Sequence, residues 1–172
     1  TLIQDGNSTV EHNIPLHTFY KDLVQLWGQT QVDYTPTLVV TYGGPAGDPY
    51  WRAHTNVWEH PILSRHAPPT ELAANNKRRV IAPESDYVDD DSARQAGKIA
   101  AAGRMVSIGA HGQQSGLGAH WEIWSFVRGG WSPLEGFTFP ATIESTFVNG
   151  HRVYANGVFD ESLKGLRLSF NR

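Results

Sequence analysis

The stretch that decides the fold is MVSIGAHGQQSGLGAHWEIW, residues 105–124. Its first six residues are mostly apolar and predict a buried strand, and His111 follows at the C-terminal end of that strand. A Gly-rich loop comes next, and a helix is predicted to begin at Gly118. Because catalytic and metal-binding residues of α/β proteins collect at the C-terminal ends of parallel strands, His111 is a candidate site residue.

A second segment has the same form. Residues 8–12 (STVEH) predict a short strand that ends in His12. A helix is predicted over residues 16–29, where apolar residues recur at three- and four-residue spacing. Two strand-end histidines on β/α units indicate a metal site on one rim of a barrel. The alternative, that each histidine is an ordinary polar loop residue, stays open on this evidence.

A third strand is predicted over residues 35–42 (TPTLVVTY). Its apolar run is continuous and not alternating, which favours a parallel strand covered on both faces. The connection that follows, residues 43–88, is long and rich in aromatic residues and His. Long ordered connections at this position are typical of lids or binding walls, although a surface excursion with its own small core is the alternative.

The rest of the chain predicts three helices and a hairpin. The helix over residues 89–102 begins with three Asp residues, whose carboxylates complement the helix dipole. Residues 118–127 and 132–139 predict the other two helices, the second from a capping-box pattern with Pro in the first position. Residues 146–154 predict a β-hairpin around one Asn-Gly pair, and a second Asn-Gly pair at 156–157 indicates another turn.

The composition narrows the classes of function. A chain of 172 residues can bury a sizeable core, and the net charge of −3 without a basic patch argues against a nucleic-acid partner. No apolar run approaches the roughly 18 residues that a membrane span needs. The chain has no Cys, so a bound metal would need His, Asp or Glu ligands. Thr1 is neither a starting Met nor part of a signal peptide, so a processed or cut N-terminus is expected.

In their order and spacing, several motifs resemble the C-terminal half of the amidohydrolase superfamily, which are metal-dependent hydrolases on a (β/α)8 barrel. The resemblance is to the imidazolonepropionase-like branch, and within it to bacterial proteins with a β-propeller ahead of the hydrolase domain. It covers nearly the whole chain apart from the tail. The motifs are STVEH (8–12), YTPTLVVTYGG (34–44), YWRAHTNVWEH (50–60), IGAHGQ (108–113), GLGAHWEIW (116–124), GGWSPLEGFTFPAT (129–142) and STFVNGHRVY (145–154).

The resemblance implies a fold and a metal site. Residues 1–142 would form strands six to eight of an α/β TIM barrel with the long aromatic loop 43–88, and residues 143–172 the terminal β-hairpin and tail of a small β-sandwich. His12 would end strand six as a metal ligand. His111 would end strand eight, where most relatives carry a catalytic Asp and the propeller-fused branch carries His. It is a candidate metal ligand or general base, or neither.

The resemblance also implies a reaction class. The enzyme would hydrolyse a C–N bond of a small amide-like substrate with one or two divalent metal ions, zinc being the expected ion. The aromatic loop would supply a wall suited to an apolar or peptide-like amide. Glu122 and His120 are expected to brace the helix after strand eight. The candidate substrate-binding residues are Tyr42, Tyr50, Trp51, His54 and Trp58.

The remaining parts of the family site would precede Thr1. These are the His-x-His after strand one, the Lys on strand four and the His on strand five. The chain is therefore expected to be a piece of a larger enzyme, periplasmic or secreted in a bacterium, with a cytoplasmic location left open. Residues 141–145 join the helix to the hairpin more directly than in relatives.

Two other classes of function stay open. One is a non-catalytic fragment or scaffold without the metal site, and the other is an aromatic-rich module that binds carbohydrate or peptide. Three parallel β/α units cannot close a barrel, so further chain, a partner or a second copy is expected to cover the strand edges. The substrate is left open, because one fold serves many amides, esters and lactones.

Overall fold

The computed structural model describes residues 2–74, 79–112, 114, 116–132, 145–148, 151–155, 158–160 and 162. The chain forms two compact units, Thr1–Pro133 and Leu134–Arg172. The first unit contains, in chain order, β1 (Thr9–Glu11), α1 (Lys21–Gly28), β2 (Asp33–Thr35), a 3-10 turn (Leu38–Val40), α2 (Gly47–His54), a 3-10 turn (Val57–Glu59), α3 (Leu63–His66), α4 (Pro69–Ala74), a 3-10 turn (Glu84–Asp86), α5 (Asp89–Ala101) and α6 (Gly118–Arg128). The second unit contains β3 (Ser145–Val148), β4 (His151–Ala155) and β5 (Val158–Phe159).

The parallel pairing expected of an α/β protein is present. β1 and β2 pair in parallel, with Val10 opposite Tyr34. On the other side of β2, Val106 forms a parallel bridge to Tyr34. The N–H of Tyr34 donates to the Met105 carbonyl at 3.1 Å, and the N–H of Ser107 donates to the Tyr34 carbonyl at 2.9 Å. The mixed α/β class is therefore confirmed, and within the described ranges the strands do not close into a barrel. The strand predicted over residues 105–110 is shorter than expected, since only its start pairs.

The prediction of a strand over residues 35–42 was wrong beyond its first residue. β2 ends at Thr35, and Leu38–Val40 form a 3-10 turn. Pro36 has no N–H for a sheet, and Thr37 has a left-handed φ of 52° that turns the chain out of the extended conformation. A continuous apolar run indicates burial, which is correct here, but it does not distinguish a strand from a buried turn.

The helix predicted over residues 16–29 begins later than expected, because α1 starts at Lys21. The preceding segment is anchored to α5 instead. The N–H of Phe19 donates to Gln95 Oε1 at 2.9 Å, and Lys98 Nζ donates to the Phe19 carbonyl at 3.1 Å. The Phe19 carbonyl therefore bonds to Lys98, whereas in a helix that began at residue 16 it would accept the N–H of Leu23.

The two later helices agree with their predictions. α5 runs from Asp89 to Ala101 and carries the three Asp residues in its first turn. Gly103 follows it with a left-handed φ of 85°, as expected of the residue after a helix end. α6 extends one residue past its predicted end. The helix predicted over residues 132–139 falls largely outside the described residues.

A small core, shared with the turn after β2 and the start of α6, anchors the long connection, which is mostly helical. α2, α3 and α4 all lie in it. The buried residues of this core are Val39, Val57, Leu72, Leu117 and Trp121. Arg52 of α2 is only 3% exposed and donates to Asp48 at 3.0 Å and to Gln114 at 3.3 Å. Its guanidinium lies 5.2 Å from the centre of the Trp121 ring, which ties α2 to the start of α6.

The main core lies between the parallel strands, α1 and α5. Trp27 and Tyr34 pack together with their ring centres 5.1 Å apart. The indole N–H of Trp27 donates to the Val32 carbonyl at 2.8 Å, so its polar atom is satisfied inside the core. The buried residues of this core are Val10, Phe19, Trp27, Val32, Tyr34, Leu38, Ala93, Ala96, Ile99 and Phe126.

Tyr34→Phe should lower the free energy of unfolding by about 1–3 kcal/mol. The Tyr34 hydroxyl accepts the N–H of Ile14 at 3.2 Å, and burial raises the pKa of Tyr34 to about 12, so the hydroxyl stays neutral. Removing it leaves that N–H without its partner just after the first strand. Urea unfolding followed by fluorescence measures the loss. Tyr42→Phe, at an exposed ring, is the control and should change stability by less than about 0.5 kcal/mol.

The described residues of the second unit form a small antiparallel sheet. β3 pairs with β4, and β4 pairs with β5. The predicted hairpin and the second turn are therefore confirmed by the strand pairing, while both Asn-Gly pairs fall outside the described residues. Among the described residues, no helix has the length and apolar character needed to cross a membrane.

Candidate functional site

The two candidate histidines lie together. His12 directly follows β1, and His111 follows the segment that bridges to β2. Their ring centres are 5.0 Å apart, and the edge of one ring faces the other at 75°. The ring of Tyr42 lies 6.4 Å from that of His12. The structure thus brings two histidines, distant in sequence, to the same end of the parallel strands.

Both histidines have an unusual backbone conformation. His12 has a φ of 67° and His111 a φ of 51°. In the described part of the chain, Thr37 is the one other non-glycine residue with a positive φ. All three lie at or just beyond the C-terminal ends of the parallel segments. Left-handed non-glycine residues cost free energy and cluster at functional sites, so this end of the sheet is the candidate site.

The donor atoms fit part of a metal centre. The Nδ1 atom of His12 is buried and has no hydrogen-bond partner among the described residues. A buried, unpartnered imidazole nitrogen is costly unless another group binds it, and imidazole is a common zinc ligand. Over the described ranges, however, no three His, Asp or Glu side chains are placed to hold one ion. His12 and His111 would therefore supply two ligands at most.

Asn13 fixes the loop beside the histidines and is not among the site residues predicted from the sequence. Its side chain is buried, accepts the N–H of Tyr42 at 2.8 Å and donates to the Tyr42 carbonyl at 3.4 Å. It also lies 3.4 Å from the Ser92 hydroxyl of α5. This amide pairing holds the Tyr42 ring near His12. Asn13 and Tyr42 are 29 residues apart in the sequence, so no local sequence pattern predicts this pairing.

Glu122, expected from the sequence to brace the helix after strand eight, bonds to the backbone of the turn after β2 and of the segment before His111. It is fully buried on α6. One carboxylate oxygen accepts the N–H of Leu38 at 2.7 Å and that of Gly109 at 3.4 Å, and the other accepts the N–H of Val39 at 3.0 Å. Burial raises the pKa of Glu122 to about 7, although the three N–H donors act in the opposite direction.

Among the aromatic candidates, Tyr50 and His54 lie together on α2. Their rings stack with centres 4.1 Å apart. His54 Nε2 is 2.7 Å from a carboxylate oxygen of Glu84, on the exposed side of the connection. The Tyr50 ring also packs edge-on against the buried Tyr87 at 5.1 Å. Through these contacts the rings form an aromatic cluster around α2.

The two candidate tryptophans take different positions. Trp51 donates its indole N–H to the Ser125 hydroxyl at 2.9 Å and packs against Trp124 at 5.3 Å. Trp58 lies under the guanidinium of Arg79, which is 4.4 Å from its ring centre. Tyr42 is therefore the aromatic candidate that the structure places next to the histidine pair.

A buried ion pair links the two long helices. Asp89 is fully buried at the start of α5, and Arg128 Nη1 donates to both of its carboxylate oxygens, at 2.7 and 2.8 Å. Burial raises the pKa of Asp89, and hydrogen bonds from Ser125 and Arg128 oppose that shift. The Arg128 guanidinium also lies 3.4 Å from the centre of the Tyr50 ring. The pair joins α2, α5 and α6 behind the site.

The fold and the site define a mixed α/β unit with a strained histidine pair at the C-terminal ends of its parallel segments. Comparison with protein-family models, with curated proteins and with solved structures found no match for this chain. Its function therefore has to be inferred from its own residues and motifs.

Proposed function

We propose that this chain is part of the catalytic domain of a metal-dependent hydrolase that cleaves C–N bonds in small amide-like substrates. In this proposal the parallel segments correspond to strands six to eight of a (β/α)8 barrel. The observation that carries the proposal is the His12–His111 pair, with ring centres 5.0 Å apart at two strand ends. A site at this position is where barrel enzymes do their chemistry.

The two histidines, His12 and His111, would have different roles at the metal. His12 would be a metal ligand, because its buried Nδ1 lacks a partner among the described residues. His111 is more exposed and would act as a ligand or as the general base that takes a proton from water. A divalent ion such as zinc would lower the pKa of bound water and polarise the substrate carbonyl. Its remaining ligands would come from chain outside the described residues.

Tyr42 is the substrate-binding candidate with the best placement. Its ring is exposed and lies 6.4 Å from the His12 ring. The Asn13 side chain bonds to both the N–H and the carbonyl of the Tyr42 backbone. An exposed aromatic face beside the histidines suits the apolar part of an amide substrate. Tyr50, Trp51, His54 and Trp58 remain candidates for a wall farther along the connection.

Elemental analysis and zinc titration of the intact protein test the proposal. His12→Ala should lower zinc affinity by at least about tenfold. Losing only a hydrogen-bond partner of a metal ligand lowers metal affinity by about 10- to 100-fold, so losing a ligand should cost no less. His111→Ala should lower turnover of an amide panel at least as much as it lowers metal content. His66→Ala, at an exposed histidine on α3, is the control and should change neither. Unchanged turnover in His111→Ala would rule out a catalytic role for that residue.

One observation favours a second candidate, a non-catalytic fragment or an aromatic-rich binding module. The described residues do not bring three metal-binding side chains together. In that case dialysed protein should hold no zinc-class metal, and His12→Ala should leave zinc binding as weak as it was. Measuring the intact mass of the same sample shows whether the protein carries chain beyond the 172 residues.

A further inference from the structure

We infer that Glu122 is a positioning residue for His111, through a single carboxylate that holds the backbone of two segments beside the site. One segment is the turn after β2, and the other ends at Gly109, two residues before His111. The inference rests on the proposed function and deepens it, because it names the group that sets the geometry of that site.

The hydrogen bonds converge on Glu122 from distant parts of the chain. The N–H groups of Leu38 and Val39 lie 2.7 and 3.0 Å from its two oxygens, and the N–H of Gly109 lies 3.4 Å away. The donors of the two segments are about 70 residues apart in sequence. Since Glu122 is fully buried, water does not compete for these bonds.

The backbone needs this acceptor because the sheet does not supply one. Pro36 and the left-handed Thr37 end the extended conformation, so the N–H groups of Leu38 and Val39 have no strand partner. Both residues are fully buried, and an unpaired buried N–H is costly. Above about pH 7, where Glu122 is ionised, its carboxylate only accepts hydrogen bonds, whereas an amide would turn an N–H₂ group towards at least one of these donors.

The two segments also touch each other beside Glu122. A Cβ on Gly109 would lie 2.5 Å from Thr37 Oγ1, closer than van der Waals contact allows. Gly109 therefore fixes how near the chain before His111 approaches the end of β2. With Glu122 bonded to both sides, a shift of either segment changes the direction in which His111 leaves the sheet.

Glu122→Gln tests the inference in the intact protein, with Asp89→Asn as the matched control. Among the side chains that the structure describes, Asp89 is the other fully buried carboxyl group. It pairs with Arg128 and Ser125, neither of which belongs to the two segments beside the site. Both changes should destabilise the fold. Glu122→Gln should also shift the imidazole NMR signals of His111 and weaken zinc binding by about 10- to 100-fold, whereas Asp89→Asn should do neither.

The outcomes separate this inference from the proposed function. Unchanged His111 signals in a folded Glu122→Gln variant would overturn the inference, even if stability falls. If the wild-type protein binds no zinc, the proposed function fails, and the His111 signals still decide whether Glu122 positions the ring. If Glu122→Gln and Glu122→Asp both fail to fold, hydrogen exchange of the wild-type protein decides. Slow exchange of the Gly109 N–H is expected, and fast exchange would overturn the inference.

Discussion

Arg128→Ala should lower the free energy of unfolding by about 3–5 kcal/mol, which is the range for removing one partner of a buried ion pair. Its two hydrogen bonds to the fully buried Asp89 are 2.7 and 2.8 Å long. Without the guanidinium, the carboxyl group must stay charged without a counterion or take up a proton. The Tyr50 ring would also lose the cation that lies 3.4 Å from its centre. Denaturant unfolding at pH 7 measures the loss.

Arg94→Ala is the control for this prediction. Arg94 also pairs with Asp residues of α5, at 3.1 Å from Asp90, but its side chain is 46% exposed. Exposed pairs contribute little, so its removal should cost less than about 1 kcal/mol. Arg128→Lys keeps the charge without the paired donors and should recover part of the loss. If Arg128→Ala and Arg94→Ala lower the free energy of unfolding by the same amount, the buried Arg128–Asp89 pair does not stabilise the fold more than an exposed pair does.

A second large effect is expected from Glu122, whose titration should make the free energy of unfolding depend on pH. Burial raises its folded-state pKa to about 7, against an ordinary glutamate pKa of 4.5 in the unfolded chain. The folded state therefore binds the proton more tightly. This contribution to stability is fully present below about pH 4.5 and is lost as the pH rises through about 7. The loss amounts to roughly 3 kcal/mol.

Urea unfolding of the wild-type protein and of Glu122→Gln at pH 5 and at pH 8 measures this contribution. Other groups titrate over the same range, so the informative quantity is the difference between the two proteins. The wild-type protein should lose roughly 3 kcal/mol more than the variant between these pH values. Parallel losses in both would mean that Glu122 is already ionised in the folded protein at pH 5.

The sequence predicted the elements whose signals are local. α5 follows from its acidic first turn, and both α5 and α6 follow from the glycine that comes after the helix end. The strand-end position of His111 follows from a mostly apolar run that stops at a polar residue, and that of His12 from a short predicted strand of the same form around Val10. That these two rings would meet also follows, since the C-terminal ends of parallel strands share one edge of a sheet.

The sequence could not predict the features set by distant partners. The apolar residues 38–40 form a turn in which the N–H groups of Leu38 and Val39 bond to Glu122, more than 80 residues farther along the chain. Residues 16–20 stay out of α1 because α5 takes up the backbone groups of Phe19. The pairing of Asn13 with the backbone of Tyr42 is of the same kind. In each case tertiary contacts override a reasonable local preference.

The left-handed backbone at the two histidines has a consequence for engineering this protein. Glycine at position 12 or 111 would relieve the steric cost of that conformation and could gain up to about 1 kcal/mol of stability after its own entropic cost. A search for heat-resistant variants that scores melting temperature alone would therefore tend to remove the imidazoles. Any thermostable variant without activity should have positions 12 and 111 checked first, because a more stable fold and an intact site make opposite demands there.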